Sequence, residues 1–346
     1  MNPAMVITKV GMCSAVGLGA AASCAAIRVG FTGFDDTAFL FDGDVIQGAE
    51  VPLEKPWRGR EKLLQMATAA VLECIGDLPP AALREIPLLL VIAEKDRPGR
   101  LPRLDPSLLR ELMDRCGGEF HPESRVIENG RVGGIEAIQL AEGILSRLRG
   151  GSCLVVGVDS LLNANTLGAY YTRQRLLTSR QSDGFIPGEA AAAIWLEQAS
   201  SRTVGPLAVH GWGFAREEAG IESEQPLRGE GLAAAIRASF SKSGLDYHSI
   251  DYRLCDANGE QYPFKEAALA MARTLRVRKQ SFDLWHTADC IGEVGAATVP
   301  CALAVAWHAA VKGYAPGPGV LLHVGNTDGQ RAALVLRQTT EERRHP

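Results

Sequence analysis

The stretch DGFIPGEAAAAIWLE, residues 183–197, places two glycines and a glutamate directly ahead of an apolar run. Gly184 and Gly188 permit a tight turn that bulkier residues would resist. Glu189 sits at the mouth of that run, where a buried carboxylate must be paired or hydrogen-bonded. Asp183, Gly184, Phe185, Gly188 and Glu189 therefore read as scaffold and not as reacting groups.

Outward from this stretch, one pattern occurs twice. A helix expected over about 132–148, closed by Gly150 and Gly151, leads into the strand CLVVGVDS, 153–160. A second helix expected over about 294–311, closed by Gly313 and a Pro/Gly turn, leads into VLLHVGNTDG, 320–329. Each glycine cluster can supply the left-handed residue that ends a helix. Nearer the N-terminus the pattern predicts a strand over 5–10, helices over about 18–29 and 60–75, and a strand over 87–93. Such alternation predicts α/β layers with largely buried strands. The doubling predicts two similar halves, 1–200 and 201–338, joined through the polar ASSRTVGP, 199–206, with 339–346 as a frayed tail.

Length and composition agree with a large folded core: 346 residues, 46% apolar and 22% charged. A net charge of −4 gives no general reason to bind nucleic acid, which needs a concentrated basic surface. The basic run KDRPGRLPR, 95–103, is interrupted by prolines and reads as a solvated loop, with a patch for an acidic partner as the alternative. The eight cysteines show no CxxC and no histidine pair at zinc-ligand spacing, so no metal is expected, and reduced thiols fit a cytoplasmic location. The segment 10–24 superficially imitates an export signal, yet it follows a strand-like run and is Gly- and Ala-rich. No apolar run approaches the ~18 residues of a membrane span.

With these elements placed, the chain resembles the β-ketoacyl synthases and chain-length factors of the thiolase-like superfamily over nearly its whole length. ITKVGMCSAVGLG is similar to that family's opening strand and glycine turn, DGFIPGEAAAA to its D-G-F-x-x-G-E-G-A phrase, and IGEVGAATVP to its late G-H-x-x-G-A-A helix. VGNTDGQRAALVLR resembles the closing glycine loop and hairpin. The resemblance implies a thiolase-like fold of two similar halves in an αβαβα five-layer arrangement, with no cofactor.

Active members of that family carry a nucleophilic cysteine at the start of a buried helix, where the dipole and free amides favour thiolate and oxyanion. Aligning T-A-C-x-S-G-x-x-A-I with NGRVGGIEAI puts Arg131 at the cysteine's place. H-G-T-x-T-P reads NGEQYP, with Asn258 at the first histidine, and Gly292 falls at the second; Thr287 stands for the usual lysine. The resemblance thus implies loss of the condensing mechanism, since arginine is no nucleophile and Gly292 offers no side chain. A cation at a helix N-terminus opposes the macrodipole, so Arg131 should have an anion, with Glu128, Glu260 and Glu293 as candidates. Its replacement by methionine is then expected to preserve folding.

Other features weigh less. Cys290 with His286 forms a weak alternative nucleophile pair near the late helix. Gly17, Gly19 and Ala22 imitate part of a dinucleotide fingerprint but lack its third glycine. His210 and His323 read as satisfied core or interface histidines, and Trp212, Trp285 and Trp307 as packing residues. The functional expectation is a non-catalytic subunit or scaffold. The resemblance implies a homodimer, or a heterodimer with a second thiolase-like chain, pairing through 153–159 and its surroundings. An acyl carrier protein, or an effector or adaptor of a bacterial type VI secretion module, is the further partner expected. The alternatives are an acyltransferase or 3-oxoacyl synthase with unconventional residues, and an acyl-group binding protein.

Overall fold

The structure is a computed structural model that describes residues 5–148, 151–200 and 205–339. Gly150, positions 201–204 of the expected join and positions 340–346 of the expected tail lie outside the described residues.

In the first half of the chain, apolar runs become β1 (Met5–Ser14), β4 (Leu88–Val91), β6 (Ser152–Ser160) and β7 (Glu189–Gln198), with the short β5 (Arg125–Ile127). Between them lie the helices α1 (Ala20–Arg28), α2 (Gly59–Ile75), α3 (Pro80–Leu83), α4 (Pro106–Arg115), α5 (Gly130–Leu148) and α6 (Ala164–Thr172). A hairpin of β2 (Asp35–Phe41) and β3 (Asp44–Gly48) forms its own two-stranded sheet, and its Ile46 packs against α6. The second half contributes β8 (Leu207–Arg216), α7 (Glu230–Ser243), β9 (Tyr252–Cys255), α8 (Gln261–Thr274) and β10 (Leu284–Trp285). Then come α9 (Ala288–Ile291), α10 (Thr298–Lys312), β11 (Gly319–Gly325) and β12 (Gln330–Gln338).

Ten strands form one mixed sheet in the order β10-β9-β11-β12-β8-β1-β7-β6-β4-β5. Counted outward from β1, the strands of the first half run first, fifth, fourth, second, third. Counted outward from β8, those of the second half run in the same order. Directions match as well: β1–β7 and β8–β12 are antiparallel, as are β7–β6 and β12–β11, whereas β6–β4, β4–β5, β11–β9 and β9–β10 are parallel. Among the described residues the two runs pair through Met5–Val209, Val6–Ala208 and Ile7–Leu207.

Apolar side chains sort by layer. Alternate residues of β4, such as Leu88 and Leu90, pack under α2 and α4, while Leu89 and Val91 face a central core shared with α5 and α10. In the second run, Leu321, Ala333 and Val335 pack under α7 and α8, while Leu322 and Leu334 face that same central core. The period of two along each strand thus places helices on both faces of each run. α10 is apolar nearly all round, as a helix between two sheet layers must be.

The glutamate of the opening motif behaves as burial demands. Glu189 Oε2 accepts from Ser160 Oγ at 2.7 Å, Oε1 accepts from Val51 N at 2.9 Å, and Lys62 Nζ is its ion-pair partner. Two expectations are corrected. β6 lies between β4 and β7 and has both edges occupied, so 153–159 offers no strand edge to a partner; the sheet ends in β5, next to α5, and in β10. The basic run 95–103 is not merely a solvated loop, because Arg97 is buried and its Nη2 donates to Asp159 Oδ1 at 2.5 Å. No described helix is long and apolar enough to cross a membrane.

Candidate functional site

The loop after β5 turns sharply into α5 at Gly130, whose φ of +51° suits glycine and whose missing Cβ leaves room for the Glu94 carboxylate, 2.4 Å from where that atom would stand. Asn326, on the loop between β11 and β12, ties this start down: its Oδ1 accepts from Val132 N at 3.2 Å and its Nδ2 donates to Asn129 O at 2.9 Å. Arg131 is thereby held in the first turn of α5, its side chain 15% exposed.

Two carboxylates meet it. Arg131 Nη1 donates to Asp256 Oδ2 at 3.2 Å and lies 3.3 Å from Glu293 Oε2. Asp256 also accepts from Gly325 N at 2.8 Å, and Glu293 Oε1 from Gly295 N at 2.9 Å. Asn258 Nδ2 donates to Glu293 Oε2 at 2.9 Å and to Glu260 Oε2 at 3.2 Å. Glu260 in turn receives Arg175 as a two-pronged pair, both contacts 2.7 Å. The result is a buried chain in which two guanidinium groups meet three carboxylates, with the neutral Asn258 amide bridging Glu293 and Glu260. Burial by itself would favour a neutral Arg131, but Glu293 and Asp256 outweigh it and hold the guanidinium charged well above its ordinary range. Burial pushes Asp256 above the usual carboxylate range, against the pull of Arg131.

The structure brings Arg131 and Asn258 together. It places Gly292 beside them but gives it no part in the contacts: with φ +69°, a Cβ there would stand 2.6 Å from Ile186 O. Glu293, the next residue, reaches the cluster instead. Its backbone is clamped by the 183–189 loop, since Glu293 N donates to Ile186 O at 2.8 Å and Gly188 N donates to Glu293 O at 2.9 Å. The motif read as scaffold is therefore the wall that aims this carboxylate. Among the expected anions, Glu293 faces Arg131, Glu260 serves Arg175, and Glu128 turns away to Arg100 and Lys95. Sequence reasoning missed Asp256. Its signal was there, two residues before Asn258 on the loop after β9 and so on the same side of an extended chain.

A cavity of about 30 Å³ borders Arg131, Arg175, Asp256, Glu260, Tyr262 and Asn326, room for about two water molecules. All eight cysteines are buried free thiols. Cys255, beside Asp256, has its thiol pushed up to about 12 by burial and is no thiolate at neutral pH. Cys290 and His286 line a different cavity, where Cys290 Sγ lies 4.0 Å from Ile27 O and His286 Nδ1 lies 3.2 Å from Asp289 Oδ1. Among the described residues no group of three or more histidines, cysteines or carboxylates is placed to hold a metal ion. His323 is buried in β11, and burial pushes its imidazole down to about 3, so it stays neutral.

No family model matches this sequence, and no curated protein matches it. Solved structures do. A type II polyketide synthase acyl-carrier protein in complex with its ketosynthase, AntDE:AntF, superposes with a TM-score of 0.80 at 14% identity, covering 98% of this chain and 100% of that one. The ishigamide ketosynthase/chain length factor gives 0.72 at 17% identity, covering 97% and 100%. A β-ketoacyl synthase from Burkholderia phymatum gives 0.74 at 14% identity, covering 98% and 100%. The fold is thus the thiolase-like fold of ketosynthases and chain length factors.

Proposed function

We propose that this chain is a non-catalytic thiolase-fold subunit that pairs with a second thiolase-like chain. The observation that carries the reading is Arg131 in the first turn of α5, held by Asp256 and Glu293. A condensing enzyme needs a thiolate at such a helix start, with its amides free to receive an oxyanion. Here the position holds a guanidinium, the adjacent space admits little more than water, and the neighbouring thiol is protonated. Asn258 can donate a hydrogen bond but cannot shuttle a proton. Ketosynthase assemblies with a chain length factor or an acyl-carrier protein among the similar structures support a partner chain. The open edge of β5 supplies unpaired backbone groups for that contact.

Intact-mass measurement of the purified chain after incubation with octanoyl thioester, alone and with acyl carrier protein, tests the reading. No mass gain and no condensation product are expected, and the same for Arg131→Cys, because the proton-handling groups stay absent. A stable acyl adduct or turnover by the homogeneous protein would overturn it in favour of an acyltransferase. Native mass spectrometry of the chain co-expressed in turn with the ketosynthases of its own host should show a heterodimer; monomer alone in every such pairing defeats the partner assignment.

A further inference from the structure

A cavity of about 330 Å³ opens between the C-terminal end of α1 and the β10 edge of the sheet, remote in composition from the Arg131 cluster. Its interior is apolar and aromatic: Ile27, Leu254, Leu284, Trp285, Val305 and Tyr314. Trp285 and Tyr314 lie nearly parallel, 26° apart with ring centroids at 6.3 Å, and the Tyr314 hydroxyl is fixed by His308 Nδ1 at 3.1 Å. At the mouth stands Arg28. Its guanidinium lies 4.2 Å from the centre of the Tyr314 ring, and among the described residues no carboxylate pairs with it.

We propose that this cavity binds a small aromatic carboxylate. The size fits a ligand of that class: a dry cavity of about 150 Å³ takes one benzene ring, so 330 Å³ holds a bicyclic body. Trp285 and Tyr314 line it, and aromatic rings favour an aromatic neighbour in an offset-stacked or edge-to-face arrangement. The exposed guanidinium of Arg28, already oriented by stacking on Tyr314, is a preorganised fork for the carboxylate at the mouth. Asp289, the acidic group on the lining, is 73% exposed and turned to His286 at 3.2 Å, which leaves the positive charge of Arg28 uncompensated. This site is independent of the subunit reading above.

Calorimetric titration of the full chain with 2-naphthoate, 2-naphthamide and octanoate provides the test. One saturable naphthoate site is expected, weakened at least tenfold for the uncharged amide, for octanoate and in Arg28→Met, a change at an exposed position that leaves the core intact. Cys290 lines the same cavity, so naphthoate should slow its modification by methyl methanethiosulfonate, read on the Cys290 peptide by mass spectrometry. The proposal is overturned by no binding at millimolar ligand, by equal affinity for the amide or for octanoate, by unchanged affinity in Arg28→Met, or by binding that leaves Cys290 unprotected.

Discussion

Arg131 has two carboxylates where one would neutralise it, and this reverses what the sequence suggests for its removal. Arg131→Met strands Asp256 and Glu293 together in a buried site, and breaking a buried ion pair from one side costs roughly 3–5 kcal/mol. Replacing the residue is therefore expected to destabilise, not to be tolerated. The sign of the pH dependence follows from Asp256, which burial already pushes up and which then loses the cation opposing that push. In the variant the folded chain keeps its proton to higher pH than the unfolded chain, so folded protein binds more protons above the unfolded aspartate value near ~3.9. Its stability should fall as pH rises through that window, and its deficit against the parent should be smallest in acid. Urea unfolding of both proteins at pH 4 and pH 7 checks this; an equal deficit at both, or none at pH 7, contradicts it. The triple change Arg131→Met, Asp256→Asn, Glu293→Gln should recover most of the loss at pH 7. At this scale the sequence showed a cation needing an anion and named Glu293 correctly. It passed over Asp256, whose one mark was its place two residues before Asn258.

The start of α5 depends on backbone geometry as much as on charge. Gly130→Ala combines a left-handed φ of +51°, costing about 1–2 kcal/mol for a residue with a Cβ, with a clash against Glu94 Oε2. Gly130→Ala should lower the urea midpoint, and adding Glu94→Ser should recover only the clash, leaving the backbone part. Full recovery in the double variant would show that the conformation itself is not strained. Elements with a clear period were legible in the sequence: the helix expected over 60–75 appears as Gly59–Ile75, and that expected over 132–148 as Gly130–Leu148. The late helix begins further along, at Thr298, because residues 295–297 tighten into a 3-10 turn capped by Asp159, whose Oδ2 accepts from Ala296 N at 2.9 Å. The expectation that 153–159 faces a partner overlooked that this strand is interior to the sheet. A strongly apolar run such as β6 marks a strand buried on both sides, whereas the edge strands β5 and β10 are only three and two residues long and read as nothing in particular.

For the molecule as a whole we propose that residues up to about 200 and the remainder are two copies of one unit, on the strength of their shared strand order and directions. The copies are not self-sufficient, since one central core holds Val91 and Ile135 from the first with Leu322 and Leu334 from the second. A chain ending at residue 200 should therefore lack a cooperative thermal transition, and mixing it with 201–346 should restore one; a sharp transition in the isolated fragment would show that the core divides cleanly. That dependence also puts a clock on biosynthesis. β1 leaves the ribosome long before its partners, Ala190–Gln198 and Leu207–Val209. At ~5–20 residues per second, roughly 10–40 s pass before either partner has been made. Throughout that interval Met5, Ile7 and Met12, fully buried in the finished protein, wait on a nascent chain without the strands that flank them, which makes the β1 segment a natural client for a ribosome-associated chaperone.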